Sequence, residues 1–184
     1  AWETLGAVYR DIRFAAGALD WAIRSFETAI SLEPTNPVLH AELGKLYVIK
    51  EEYGKAGERF RRAEELKSDF TEAKLQAALL SEKEGQGEIA IARLRELALR
   101  YPLDTEILFQ LGRLQYNAGR VPEAVSQFQQ ILRITPNHSN ALFALGTAFE
   151  RQGRIEDAIK QFERVLQLNP NNEAVQEKLQ QLSK

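Results

Sequence analysis

Over 184 residues the formal net charge is only -2, the apolar share is 44% and cysteine is absent. That length suits one domain or a small array, and the charge gives no basic excess for nucleic acid or an anionic membrane surface. The missing thiols exclude disulfides, thiol catalysis and zinc–thiolate sites. No run of about 18 apolar residues is present to span a bilayer, and no signal peptide is visible. The chain starts at Ala1, already inside a helical pattern, and lacks Met, as expected of a processed form or an excised piece.

In chain order, the first predicted helix carries Trp2, Leu5, Tyr9, Ile12 and Ala16 on one face, the three-and-four spacing of an amphipathic helix. Gly17 ends it, and a second face begins at Ala22 with Phe26 and Ala29 before Pro34. This hairpin then recurs. Ala22, Ala56, Ala90, Ala124 and Ala158 stand 34 residues apart, and so do Phe26, Phe60, Leu94, Phe128 and Phe162. The loops closing the hairpins carry Pro34, Ser68, Pro102, Pro136 and Pro170, and the turns within them carry Gly17, Glu51, Gly85, Gly119 and Gly153. Small residues let paired helices approach, and the aromatic fills the gap beside them. The repeats span approximately 1–36, 37–70, 71–104, 105–138 and 139–172. The first has a first helix longer by four residues between Tyr9 and Gly17, about one helical turn. The third is the weakest, with Lys74, Ala77, Ala78 and Ser81 in place of bulky first-helix residues. Residues 173–184 form a capping helix with Val175, Leu179 and Leu182 turned inward and glutamines outward, since a terminal repeat needs a polar outer face.

The first helices share a further pattern: Trp2-x-x-Leu5-Gly6-x-x-Tyr9, then Leu43-Gly44 with Tyr47, Leu111-Gly112, and Leu145-Gly146 with Phe149. Together with the 34-residue period, this resembles the tetratricopeptide repeat family over essentially the whole chain. The resemblance implies an all-α, right-handed α-solenoid of five hairpins plus a cap, forming a single array. It also implies a non-catalytic scaffold that binds a protein or peptide in a groove lined by the first helices.

Catalytic constellations are lacking. His40 and His138 lie about three repeats apart and cannot share a metal; each reads as a solvent or helix-start histidine. The glycines of Glu84-Gly85-Gln86-Gly87 lack the Lys-Ser/Thr of a phosphate loop and read as a turn. No enzyme activity, cofactor, metal, nucleic-acid partner or membrane insertion is expected.

On the groove that the resemblance implies, repeat two offers Ala41, Glu42 and Lys45, and repeat three Leu75 and Gln76. Neither the carboxylate clamp of the family's chaperone-tail receptors (matching positions Glu3, Ala7, Glu42, Glu72 and Gln76) nor an asparagine ladder (Thr4, Glu42, Gln76, Gln110 and Ala144) is present. Repeats four and five instead bring Phe109, Arg113, Tyr116, Asn117, Phe143, Thr147 and Arg151 to the groove face. Aromatics and arginine are common binding anchors; the alternative is that Phe109 and Phe143 pack against neighbouring helices. A rival role is structural. Leu5, Val8 and Ile12 are as apolar as interior positions, yet no hairpin stands before them in the sequence given. Either a missing upstream segment or another copy of the chain is expected to cover them, and a head-to-tail contact that does not close makes filaments.

Overall fold

The computed structural model describes residues 17–182, and all ten helices in that span are α-helices. They are α1 Ala18–Leu32, α2 Pro37–Ile49, α3 Tyr53–Leu66, α4 Thr71–Lys83, α5 Gly87–Arg100, α6 Thr105–Asn117, α7 Val121–Ile134, α8 Ser139–Arg151, α9 Ile155–Leu168 and α10 Glu173–Leu182. Successive first helices start at Pro37, Thr71, Thr105, Ser139 and Glu173, and second helices at Tyr53, Gly87, Val121 and Ile155; both series keep the 34-residue step of the sequence. Trp2, Tyr9 and the extended first helix lie outside the described residues. The chain divides into two compact units, residues 1–90 and 91–184.

In the first unit, Leu43, Leu46, Tyr47, Ala56 and Phe60 form a buried cluster with Ala22, Ile23 and Leu80. In the second unit, Ala124, Phe128 and Ile131 of α7 pack with Leu142, Leu145, Ala158, Phe162 and Val165. Val175 of α10 is completely buried, and Leu179 and Leu182 pack against the same cluster, so the last helix caps this core. All five repeat alanines are buried, from Ala22 at 5% exposure to Ala158 at 0%. The glycine that follows leucine in α2, α6 and α8 has a steric origin. A Cβ on Gly112 would lie 2.7 Å from the ring of Phe128, one on Gly146 2.8 Å from Phe162, and one on Gly44 2.5 Å from Phe60. The ring on the second helix therefore excludes every side chain opposite it.

The turn inside each hairpin demands a left-handed residue. Glycine supplies it at Gly119, φ 78°, while Glu51 adopts φ 63° and is the only non-glycine with positive φ among the described residues. The backbone pattern is the same in both: Gly119 N–H bonds Tyr116 O and Arg120 N–H bonds Gln115 O, as Glu51 N–H bonds Val48 O and Glu52 N–H bonds Tyr47 O. This is a Schellman ending, which satisfies otherwise orphaned helix carbonyls. A side chain in that conformation costs roughly 1–2 kcal/mol, partly offset because glycine is freer in the unfolded chain. Glu51→Gly is thus expected to stabilise the protein by about 0.5–1 kcal/mol, raising the melting temperature by roughly 1–4 °C. An unchanged or lower melting temperature would contradict the left-handed geometry.

The loops that close the hairpins use one position for capping. Asn36 accepts the amide of Val38 at 3.1 Å, Asp104 those of Glu106 and Ile107 at 3.0 and 3.1 Å, His138 that of Ala141 at 3.1 Å, and Asn172 that of Val175 at 3.2 Å. His138 is a helix-start histidine, as its position implied. His40 is not a solvent histidine: it is 4% exposed, with Nε2 3.1 Å from the carbonyl of Pro34. As the carbonyl can only accept, Nε2 carries the proton there. The same loop carbonyl in later copies is satisfied by Gln130 for Pro102, Arg164 for Pro136 and Gln176 for Pro170, each at 2.8 Å.

Candidate protein-interaction face

The first helices α6 and α8 lie in the second unit, and the seven residues expected on the groove face come from them. On α6 they fall at Phe109, Arg113, Tyr116 and Asn117, and on α8 at Phe143, Thr147 and Arg151, spacings of four and eight residues that keep each set on one helical face.

Tyr116 and Arg151, 35 residues apart, are brought together. The Arg151 guanidinium sits 4.8 Å from the centre of the Tyr116 ring and donates from Nη1 to the Tyr116 carbonyl at 2.9 Å. Stacking and hydrogen bonding hold the guanidinium plane in one orientation. Arg113 donates from Nε to Gln110 at 2.9 Å, and Gln110 in turn donates to Glu106 at 2.7 Å. The Thr147 hydroxyl bonds back to the Phe143 carbonyl at 3.0 Å, and Asn117 is exposed at the end of α6.

The two phenylalanines share a repeat position but differ in cover. Phe109 is half-buried, with its ring 5.9 Å from Phe128 and 6.0 Å from the imidazole of His138. Phe143 packs on Phe162 at 5.6 Å and stays 41% exposed. The loop position that stacks a ring on Phe109 is Asn172 one repeat later; both side chains cap the helix that follows, but asparagine has no ring to lay on Phe143. Both phenylalanines therefore have packing contacts, and Phe143 also presents surface. Sequence reasoning missed Lys178 of α10, whose ammonium pairs with Glu150 at 2.9 Å.

The matching face of the first unit is occupied internally. Lys45 bridges Glu42 at 3.0 Å and Glu72 at 2.8 Å, and Gln76 donates to Glu72 at 3.0 Å. Burial works to lower the pKa of Lys45, but hydrogen bonding and charge from Glu72 and Glu42 outweigh it and raise the value above that of an ordinary lysine. Ala41 and Leu75, expected on the groove, are buried at 0% and 4% exposure. Burial at these two positions is a correction to the sequence reading, and its reason is that only the large side chains at this position, Phe109 and Phe143, reach beyond the helix packing. Leu5, Val8 and Ile12 lie outside the described residues.

Among the described residues there is no group of three or more His, Asp or Glu placed to hold a metal ion, and no helix is long and apolar enough to cross a membrane. Helix hairpins of constant period, packed ring against glycine, define an all-α helical-repeat fold of the solenoid class, a class of protein–protein interaction scaffolds. The tetratricopeptide repeat profile matches residues 75–139 and 111–173, and the chain belongs to the tetratricopeptide repeat family. Family members are generally non-catalytic interaction modules. No curated protein matches the chain in sequence. Solved structures share its fold. YrrB, described as a TPR protein with an unusual peptide-binding site, is 23% identical with a TM-score of 0.67, over 89% of this chain and 84% of its own. PilF of Pseudomonas aeruginosa is 21% identical with a TM-score of 0.72, over 80% of this chain and 67% of its own. MamA from Desulfovibrio magneticus RS-1 is 18% identical with a TM-score of 0.71, over 91% and 96%.

Proposed function

We propose that this chain is a non-catalytic scaffold that binds a peptide or protein segment across α6 and α8, in a single array spanning residues 1–184. The observation that supports this reading is the stacked, oriented pair Tyr116–Arg151, with the exposed ring of Phe143 eight residues before Arg151 on α8. An aromatic with a guanidinium held in place is a pre-ordered anchor, which reduces the entropy lost on binding. Among the described residues of the first unit, the groove charges of Lys45, Glu42 and Glu72 neutralise one another. Removing the Tyr116 ring should weaken any ligand of this face by at least about 1 kcal/mol while leaving the circular dichroism spectrum intact. Titration of Tyr116→Ala against a captured ligand tests this, and equal affinity for variant and parent would remove the face from consideration.

End-to-end self-association through Leu5, Val8 and Ile12 is the alternative, supported by their apolar character alone. It predicts that sedimentation of the parent shows growth with concentration and that Val8→Glu with Ile12→Lys abolishes it. Monomeric parent and variant at high concentration would end that reading.

A further inference from the structure

The Arg151 side chain is anchored without being neutralised. Only Nη1 is engaged, by the Tyr116 carbonyl, and no carboxylate among the described residues pairs with the guanidinium. The acid next to it in sequence, Glu150, is already paired with Lys178. Arg151 is exposed, and its Nε–Nη2 edge, which makes no hydrogen bond among the described residues, is a two-donor fork of the geometry a carboxylate fits.

Resting on the groove reading above, we infer that the α6–α8 face selects segments carrying an acidic side chain for Arg151 and an apolar side chain for Phe143. Three observations fix the partner's chemistry. Of the two arginines on the face, Arg113 is engaged by Gln110, while Arg151 sits at the C-terminal ends of α6 (Asn117) and α8 (Arg151), where helix dipoles are negative. A monovalent carboxylate is tolerated there and a phosphate dianion is disfavoured. Exposed amides lie on the same two helices, Asn117 at the end of α6 and Asn140 in the first turn of α8, suiting peptide backbone that continues past the acid, and so an internal Asp or Glu. Finally, Phe143 lies eight residues before Arg151 on α8, not in contact with the Tyr116–Arg151 pair, and about 12 Å from it along the helix axis. An extended peptide rises roughly 3.3 Å per residue, so the acid and the apolar residue should stand about three or four positions apart.

The test is to pan a random dodecapeptide display library on the full chain, then measure the recovered sequences as acetylated, amidated peptides by fluorescence anisotropy. Asp or Glu three or four positions from an apolar residue should be enriched. Arg151→Gln, an exposed and structurally mild change, should weaken these peptides at least about tenfold, the size of a charge-assisted hydrogen bond. Their Asp→Asn counterparts should bind the parent as weakly as the acidic peptides bind the variant, and should lose nothing further on Arg151→Gln. If Phe143→Ser weakens binding while Arg151→Gln does not, the face is a groove but not an acid reader, and this inference falls alone. If neither substitution matters, or no peptide is recovered, the groove reading falls and takes this inference with it.

Discussion

Phe128→Ala is expected to destabilise the second unit by about 3–5 kcal/mol, the range for deleting a fully buried aromatic ring. Phe128 is 2% exposed, lies against the backbone of Gly112 and contacts the ring of Phe109. Hairpins of a repeat array can open separately, so the loss is best read from amide exchange in α6 and α7 as well as from the global melt. A change below about 1 kcal/mol would mean the ring is not where the core needs it. The same geometry predicts a coupling. Gly112→Ala places a methyl 2.7 Å from Phe128, an overpacking that costs about 1–3 kcal/mol against about 1 kcal/mol recovered in helix propensity. Paired with Phe128→Leu, the cost should be less than the sum of the two, because the smaller side chain vacates that space. The third repeat carries this combination naturally at the same positions, Ala78 and Leu94. Double-mutant cycles should show an interaction energy of about 0.5–3 kcal/mol; strict additivity would deny the contact.

Ala124→Leu is expected to lower stability by about 1–3 kcal/mol. Ala124 is 0% exposed within the core of the second unit, and three added carbons have no cavity to enter without moving α7. The comparison that isolates packing from helix propensity is Gln129→Leu, on an exposed position of the same helix, where the melting temperature should stay near that of the parent. An unaltered melt for Ala124→Leu would mean that the 34-residue alanine register does not mark the helix–helix contact.

These two substitutions concern features that the sequence displays openly. Periodicity alone locates Ala56, Ala90, Ala124 and Ala158 between helices, assigns Gly119 and Gly153 to the turns, and turns Val175, Leu179 and Leu182 inward on the final helix. It does so because burial and helical pitch act on every copy alike, so five imperfect copies reinforce one signal. Glu51 shows how strong that signal is: the position takes up a left-handed backbone even where glycine is missing. The capping residues were harder to read, because Asn36, Asp104, His138 and Asn172 do one task with three different chemistries. His40 was harder still: a polar side chain at a buried position becomes intelligible only once the carbonyl of Pro34 is known to face it.

The candidate face divides along the same line. Which residues share a side of α6 or α8 follows from counting along a helix, and Phe109, Arg113, Tyr116, Phe143 and Arg151 could be grouped that way. How each side chain is used depends on groups distant in the chain, which no local pattern encodes. Arg151 turns onto Tyr116 because α8 packs one hairpin beyond α6 and places a bare carbonyl and a ring face within its reach. Phe109 is covered and Phe143 is open because the following loop brings an imidazole ring in one case and an asparagine, which has no ring to stack, in the other. Repetition makes the helices legible, since identical copies must solve an identical packing problem. The differences between copies, where recognition resides, take their meaning from neighbours that only folding supplies.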